Sequence, residues 1–402
     1  MLLRVSAVPK NYHWGSRTAL PALFGEEPTG EPQAELWLGA HPDSTTTFVE
    51  KAEGMPDTLN DWVARDPARA LGAGRTRLPF LLKLLAAEKP LSIQAHPTLE
   101  RARAGFADEE ARGVARDSPR RNYRDEWHKP ELMVALRPGF TAMCGFRPVA
   151  RTLELLQRLE LAGSEWGPDA GARLIGDHRE LLATKGLEAV VGSVLLGDAG
   201  PLVRALVGAA ARLDDHEDDH EWGAETQLIA ELQSHYPEDS GIAVAVLLNV
   251  VRLQPGEALY LPAGNIHAYV DGLGVEIMAA SDNVLRGGLT TKPVDVPELL
   301  DVLDFSEMPV PFAPAMPRDS SVSEYDVPLD DFRLLRVGAG SARIELPEAA
   351  IVLGVEGTTT VADAAGDCAL PPGGAVFVSP DSGSITVSTT GSAFVATSGR
   401  RP

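Results

Sequence analysis

The 402-residue sequence predicts a mainly β protein with α: two similar barrels plus an inserted helical domain. Three observations carry that prediction. Short apolar runs broken by Pro and Gly fill residues 1–148 and return from residue 241 onward, as strands and turns require. Between them the spacing changes, and Leu153, Leu155, Leu156 and Leu159 fall on one helical stripe. Finally, the decapeptide LQPGEALYLP (residues 253–262) recurs as LPPGGAVFVS (residues 370–379), each a Pro-Gly turn feeding an alternating strand.

Taken in order, residues 1–148 are the first part of one barrel. Residues 149–240 form a helical insertion of about four helices, including the stretch from Leu202 to Leu213 and the segment 226–232. The insertion also holds the run DDHEDDHE (residues 214–221), which reads as a solvated loop. Residues 241–308 complete the first barrel. Pro309, Pro311, Pro314 and Pro317 then punctuate a linker. Beyond it, residues 327–402 alternate short Val, Ile, Leu and Phe runs with Gly-rich turns, the signal of an all-β sandwich. Residues 309–402 are therefore a linker and a second barrel. At the repeat positions of Asn265 and His267 the second copy carries Ser382 and Ser384, so it lacks a metal ligand there.

Charge narrows the partners. With 36 Lys and Arg against 57 Asp and Glu, the net charge is −21. That excludes nucleic acid and anionic membranes, which need a basic face, but not a small anion, which needs only a local cation cluster. Cys144 and Cys368 lie far apart and fit a reducing compartment. The longest apolar stretch, residues 242–248, is too short to span a bilayer. A soluble cytoplasmic protein is expected. Only seven of the cations are lysines, which favours each for a role needing a compact or titratable charge.

In LSIQAHP (residues 91–97), strand alternation puts Leu91, Ile93 and Ala95 on one face and Ser92, Gln94 and His96 on the other. Such a polar face suits a cavity wall. In HKPELMVAL (residues 128–136), Glu131 opens an apolar run and shares strand parity with Lys129. A third segment places Asn265, His267 and Tyr269 on one face if extended. Two imidazoles, a carboxylate and an amide oxygen can form a four-ligand N/O site, with Zn²⁺, Mn²⁺ and Fe²⁺ all chemically open. Downstream, Glu276 and Met278 face away from Val275, Ile277 and Ala279, toward either solvent or the pocket. Arg286 and Lys292 flank glycines and threonines, a composition suited to an anionic group. Lys83 interrupts the run FLLKLL (residues 80–85); an ammonium there must reach a cavity or meet an anion.

Together these segments resemble the type I phosphomannose isomerases. The matching blocks are NYHWG (residues 11–15), ELWLG with HP (residues 35–42), and residues 78–97, 128–136 and 259–292. QAHP, HKPE and SDNVLRGGLTTK are specific in combination. The resemblance implies two cupin-type jelly-roll barrels and one Zn²⁺ per chain, with Gln94, His96, Glu131 and His267 as ligands. It implies Arg286 as the active-site arginine, Ser92, Lys83 and Lys292 at the substrate phosphate, and Lys129 and Glu276 in proton transfer. The implied reaction interconverts mannose 6-phosphate and fructose 6-phosphate through an enediol(ate), in a monomer whose only partner is a small sugar phosphate. Moving a carbonyl between C1 and C2 needs a base near neutral pKa. Glu276 partly desolvated, or Lys129 lowered by a nearby cation, would serve. Arg286 would stabilise the developing oxyanion. A sugar-binding or metal-binding cupin without catalysis would not need both bases, and a cupin oxygenase would rely on a His-rich facial site.

Overall fold

The computed structural model describes residues 1–44, 46–51, 54–164, 170–214 and 220–399. Among them, the strands gather into one antiparallel sheet of nine strands and another of ten, accompanied by ten α-helices. One long strand, His267–Ala279, organises the nine-stranded sheet. Its first residues pair with Phe140–Phe146 and, through His267, with Gln94. Its later residues pair with Phe80–Ala87 on one edge and with Glu131–Ala135 on the other. Gly272 sits where the strand crosses between these partners. Its φ is 127°, and a Cβ there would lie 2.8 Å from the Phe140 Cα, so only glycine fits.

Alternation then assigns the faces. Phe80, Leu82, Leu84, Val275 and Ile277 enter a core shared with Leu3, Ile351, Phe377 and Phe394, so the two sheets pack face to face. Each such side chain contributes roughly 1.5–3 kcal/mol when fully buried. Lys83, Leu85, Glu276 and Met278 point the other way, into a cavity.

The helices Val149–Ser164, Ala170–Leu196, Gly200–Asp214 and Gly223–His235 occupy the stretch expected to be helical. Their leucines, Leu155, Leu156, Leu159, Leu206 and Leu232 among them, share a core with Ile93 and with Ala95, Ala268 and Leu285 of the sheet. Of the acidic run at 214–221, residues 215–219 lie outside the described residues.

Two expectations change. The apolar run 242–248 begins as a buried helix, Gly241–Ala245, and the strand starts only at Leu248. A short run that is apolar on every side does not distinguish a buried helix from a buried strand. The strand Leu2–Ser6, assigned by sequence to the first barrel, instead pairs with Ala375–Val378, Leu2 opposite Val378. Its partner lies at the far end of the chain, where no local pattern can reveal it.

The sequence repeat is also a local structural repeat. Both copies make a type II turn: Glu257 N–H donates to the Gln254 carbonyl at 3.0 Å, and Gly374 N–H to the Pro371 carbonyl at 2.8 Å. Gly256 (φ 87°) and Gly373 (φ 79°) occupy the matching left-handed position. Each turn leads into a four-residue strand, and then into a long strand that begins at His267 in one copy and at Ser384 in the other.

Candidate functional site

His96, Glu131 and His267 converge in the nine-stranded sheet, with ligand atoms all within 4.8 Å of one another. His96 Nε2 lies 3.2 Å from Glu131 Oε1, and His267 Nε2 lies 3.3 Å from Glu131 Oε2. All three side chains are at most 1 % exposed. Both imidazoles are held from behind by a carbonyl: His96 Nδ1 donates to Asn283 O at 2.8 Å, and His267 Nδ1 to Asn265 O at 3.0 Å. A carbonyl only accepts, so each Nδ1 carries a proton, and each Nε2 is the nitrogen turned toward Glu131. Burial, then Lys129, pushes His96 down to about 4, so its ring is neutral at neutral pH. Burial alone would raise Glu131, but Lys129, His96 and His267 hold its carboxyl well below the usual range.

His96 Nε2 is buried without a hydrogen-bond partner, the signature of an atom meant for a cation. Gln94 completes the set, its Nε2 3.3 Å from His267 Nε2. Turning the carboxamide over brings the isosteric Oε1 to that position, the acceptor a cation needs. Two imidazoles, a carboxylate and an amide oxygen fit Zn²⁺. The sequence also raised Asn265, but it precedes the strand; its side-chain amide donates to Met308 Sδ. A second cluster, His41, Asp43 and Asp282, has the opposite tautomer. There His41 Nδ1 accepts the Asp43 N–H at 3.1 Å and Nε2 faces Asp282 at 3.3 Å, so no lone pair is left for a metal.

Beside the ligands lies a buried acid–base cluster. Register places Lys83 opposite Glu276, and Lys83 Nζ is 2.8 Å from Glu276 Oε2 and 3.6 Å from Glu35 Oε1. Burial opposes the charged ammonium, yet Glu276 and Glu35 raise its pKa above that of an ordinary lysine. Burial also pushes Glu276 up, against the pull of Lys83. Trp37 Nε1 donates to Glu35 Oε2 at 2.8 Å, and the Lys83 ammonium stands 5.0 Å from the Trp37 ring. Lys129 Nζ sits 3.0 Å from Glu131 Oε1. Tyr269, fully buried, donates toward Glu131 Oε2 at 3.5 Å.

A cavity of about 310 Å³ joins these groups to a cationic rim. Arg286 pairs across the sheet with Gln94. Burial and then Arg124 lower the Arg286 pKa; burial, Arg286 and Arg124 lower that of Lys292. Three mutually repelling cations with no carboxylate paired to them, among the described residues, invite an anion. Ser92 lines the same cavity. The segment from Arg286 to Lys292 is clamped from the helical side, where Asp239 Oδ1 accepts the N–H groups of Leu289 (2.8 Å) and Gly241 (2.7 Å). At Gly288 a Cβ would lie 2.5 Å from the Gly241 Cα.

The structure thus brings the ten sequence-derived residues to one cavity or, for His96 and His267, to the buried wall behind Glu131. Lys83, which the resemblance places at the substrate phosphate, lines the cavity and stands against two carboxylates, because strand register sets it opposite Glu276. Sequence reasoning missed Arg124, Glu35 and Trp37 as participants. Glu35 and Trp37 stood in a matched block; Arg124 sits in irregular backbone and left no periodic signal.

Residues 2–149 match the family described as phosphomannose isomerase type I, catalytic domain. The mannose-6-phosphate isomerase of Escherichia coli (strain K12) is 38% identical over 387 residues, covering 94% of this chain and 95% of that protein. That of Rattus norvegicus is 32% identical over 403 residues, covering 93% and 92%. A crystal structure of mannose 6-phosphate isomerase from Salmonella typhimurium, bound to fructose 6-phosphate and zinc, superposes with a TM-score of 0.87 at 32% identity. It covers 99% of this chain and 100% of that one.

Proposed function

This chain belongs to the type I phosphomannose isomerase family, and we propose that it interconverts mannose 6-phosphate and fructose 6-phosphate. Gln94, His96, Glu131 and His267 would hold one Zn²⁺. The observation that carries the reading is the one cavity lined by Gln94, by Glu131 of the His–Glu–His cluster, by the Lys83–Glu276 pair and by the cations Arg286, Lys292 and Arg124.

When bound, zinc supplies a Lewis acid that stabilises negative charge on the sugar oxygens. The chain's own groups do the rest. In the open-chain aldose the Glu276 carboxylate takes the proton from C2, and the electron pair left behind forms the C1–C2 double bond of an enediol(ate). Within the enediol(ate) the O2 hydroxyl proton passes to O1, and the same carboxyl then returns the carbon-bound proton to C1 as the C2 carbonyl forms, so no oxidant or reductant is consumed. Its raised pKa suits a base working near neutrality. Lys129, 3.0 Å from Glu131 Oε1, is the alternative base. Arg286 adds fixed positive charge beside the developing oxyanion. Lys292 and Arg124, with Ser92, supply binding energy at the phosphate, remote from the reacting carbons.

Two cupin-type jelly-roll barrels accommodate this arrangement. In this reading residues 1–148 and 241–308 build the catalytic one around a helical insertion at 149–240, and the linker and second barrel follow from residue 309. The repeated turn and strands at 253–279 and 370–397 support it, with the strand Leu2–Ser6 lent to the second barrel. Two buried free thiols fit a cytoplasmic protein, here taken as a monomer. The test is direct. Purified protein should interconvert the two sugar phosphates, lose the activity to a chelator and regain it with Zn²⁺. A zinc-replete sample inactive with either sugar phosphate would refute the reading.

A further inference from the structure

Asn283 lies between the strands His267–Ala279 and Leu285–Arg286 and is fully buried. Its amide is saturated. Oδ1 accepts the Arg124 N–H at 2.8 Å and the Asp125 N–H at 3.3 Å, and Nδ2 donates to the carbonyls of Asp125 and Trp127, each at 2.8 Å. The Asn283 backbone carbonyl accepts from His96 Nδ1 at 2.8 Å. Asp125 closes the network from the other side, accepting from the Ser281 hydroxyl (2.8 Å), the Asp282 N–H (2.8 Å) and the Trp127 N–H (2.9 Å). Between the helix Leu99–Ala111 and the strand Glu131–Ala135 the backbone has no regular structure of its own. These bonds hold the backbone of Arg124, Asp125 and Trp127 in place.

We propose that Asn283 is a positioning residue that couples the metal site to the anion site. Its carbonyl fixes the tautomer and aim of His96, while its amide sets Arg124 against Arg286 and Lys292. The proposal rests on the functional reading above and adds what ties its two halves together. A buried amide left with unmatched partners is costly, and groups that orient metal ligands change affinity by about 10–100-fold. The Lys83–Glu276 pair is held by a different register and should be spared.

The test compares Asn283→Ser and Asn283→Asp with Leu206→Ala, a cavity variant in the helical block that destabilises without touching the site. Zinc-loaded full-length proteins are followed for zinc loss to a chelator and for KM and kcat with mannose 6-phosphate. In at least one folded Asn283 variant, zinc should leave about tenfold faster and KM should rise about tenfold, with kcat of the loaded protein near wild type. Leu206→Ala should move neither at a comparable loss of Tm. A change in zinc loss alone, in KM alone, or in kcat alone refutes the coupling, as does the same pair of shifts in Leu206→Ala. If the wild-type protein does not isomerise the sugar phosphate at all, the functional reading fails, while the zinc-loss measurement still judges the link from Asn283 to His96.

Discussion

The strands Ala258–Leu261 and Ala375–Val378 enter through the same turn and lead to long strands that begin at matching positions, yet their two sheets enclose opposite interiors. In the first, Glu35, Lys83, His96, Lys129, Glu131, His267 and Glu276 are all buried. In the second, Val337, Ile344, Val352, Val361, Val376, Val387 and Val395 fill the inside, and a Thr359–Thr389 hydroxyl pair at 3.0 Å accompanies them. At the start of the first long strand His267 is 1 % exposed; its counterpart Ser384 is half-buried and pairs with an exposed Glu345. The turn and the alternation that make a strand therefore carry no chemistry by themselves. A polar interior persists only where its charges compensate one another, as Lys83 does between Glu276 and Glu35, and Lys129 does beside Glu131.

The hardest blow to that compensation is Lys83→Met. It strands two buried carboxylates, and a cost of about 3–5 kcal/mol is expected in chemical denaturation. It should also move the pH profile. Burial raises the Glu276 pKa and Lys83 opposes the rise, so removing Lys83 lets it climb further. A base must be deprotonated to accept a proton. The acid limb of kcat/KM should therefore lie at higher pH in the variant than in the wild type. An unmoved limb would take the base assignment away from Glu276 and return it to Lys129.

A smaller effect is expected at the cationic rim. Lys292→Met removes one charge-assisted contact, worth about 1.5–3 kcal/mol, and so should raise KM for mannose 6-phosphate at least tenfold. Turnover of unphosphorylated mannose should not change. Equal losses with both sugars would mean that the rim does not read phosphate.

The smallest effect belongs to the second sheet. Ser384→His places an imidazole at the position matching His267, but on a strand end that pairs with an exposed glutamate rather than a buried one. Stability should shift by no more than about 0.5 kcal/mol, and elemental analysis should still find a single zinc per chain. A second equivalent of zinc would show that the two interiors differ by one residue rather than by a whole compensated network.

Much of the site was legible before any coordinates. Gln94 and His96 shared a strand face with Ser92, Glu131 opened an apolar run, and Glu276 opposed Val275 and Ile277, because alternation is a local property of extended backbone. The helical insertion was legible for the same reason, its leucines falling at helical spacing. Arg124 was not, because irregular backbone has no period, and the Arg124 backbone N–H donates to Oδ1 of Asn283, remote in sequence. Nor was the helix Gly241–Ala245, whose apolar residues show no face at all.

By itself, then, the sequence determined which residues could carry chemistry, how the chain divides into β, helical and β segments, and that a Pro-Gly turn and strand occur twice. Tertiary structure alone decided what each charge meets. Register set Lys83 against Glu276 and made it a buried counter-ion on the cavity wall. A pairing between the two ends of the chain placed the first strand in the second sheet. Local pattern fixes the direction of a side chain, whereas its partner, and with it its charge state and role, depends on contacts between residues far apart in sequence.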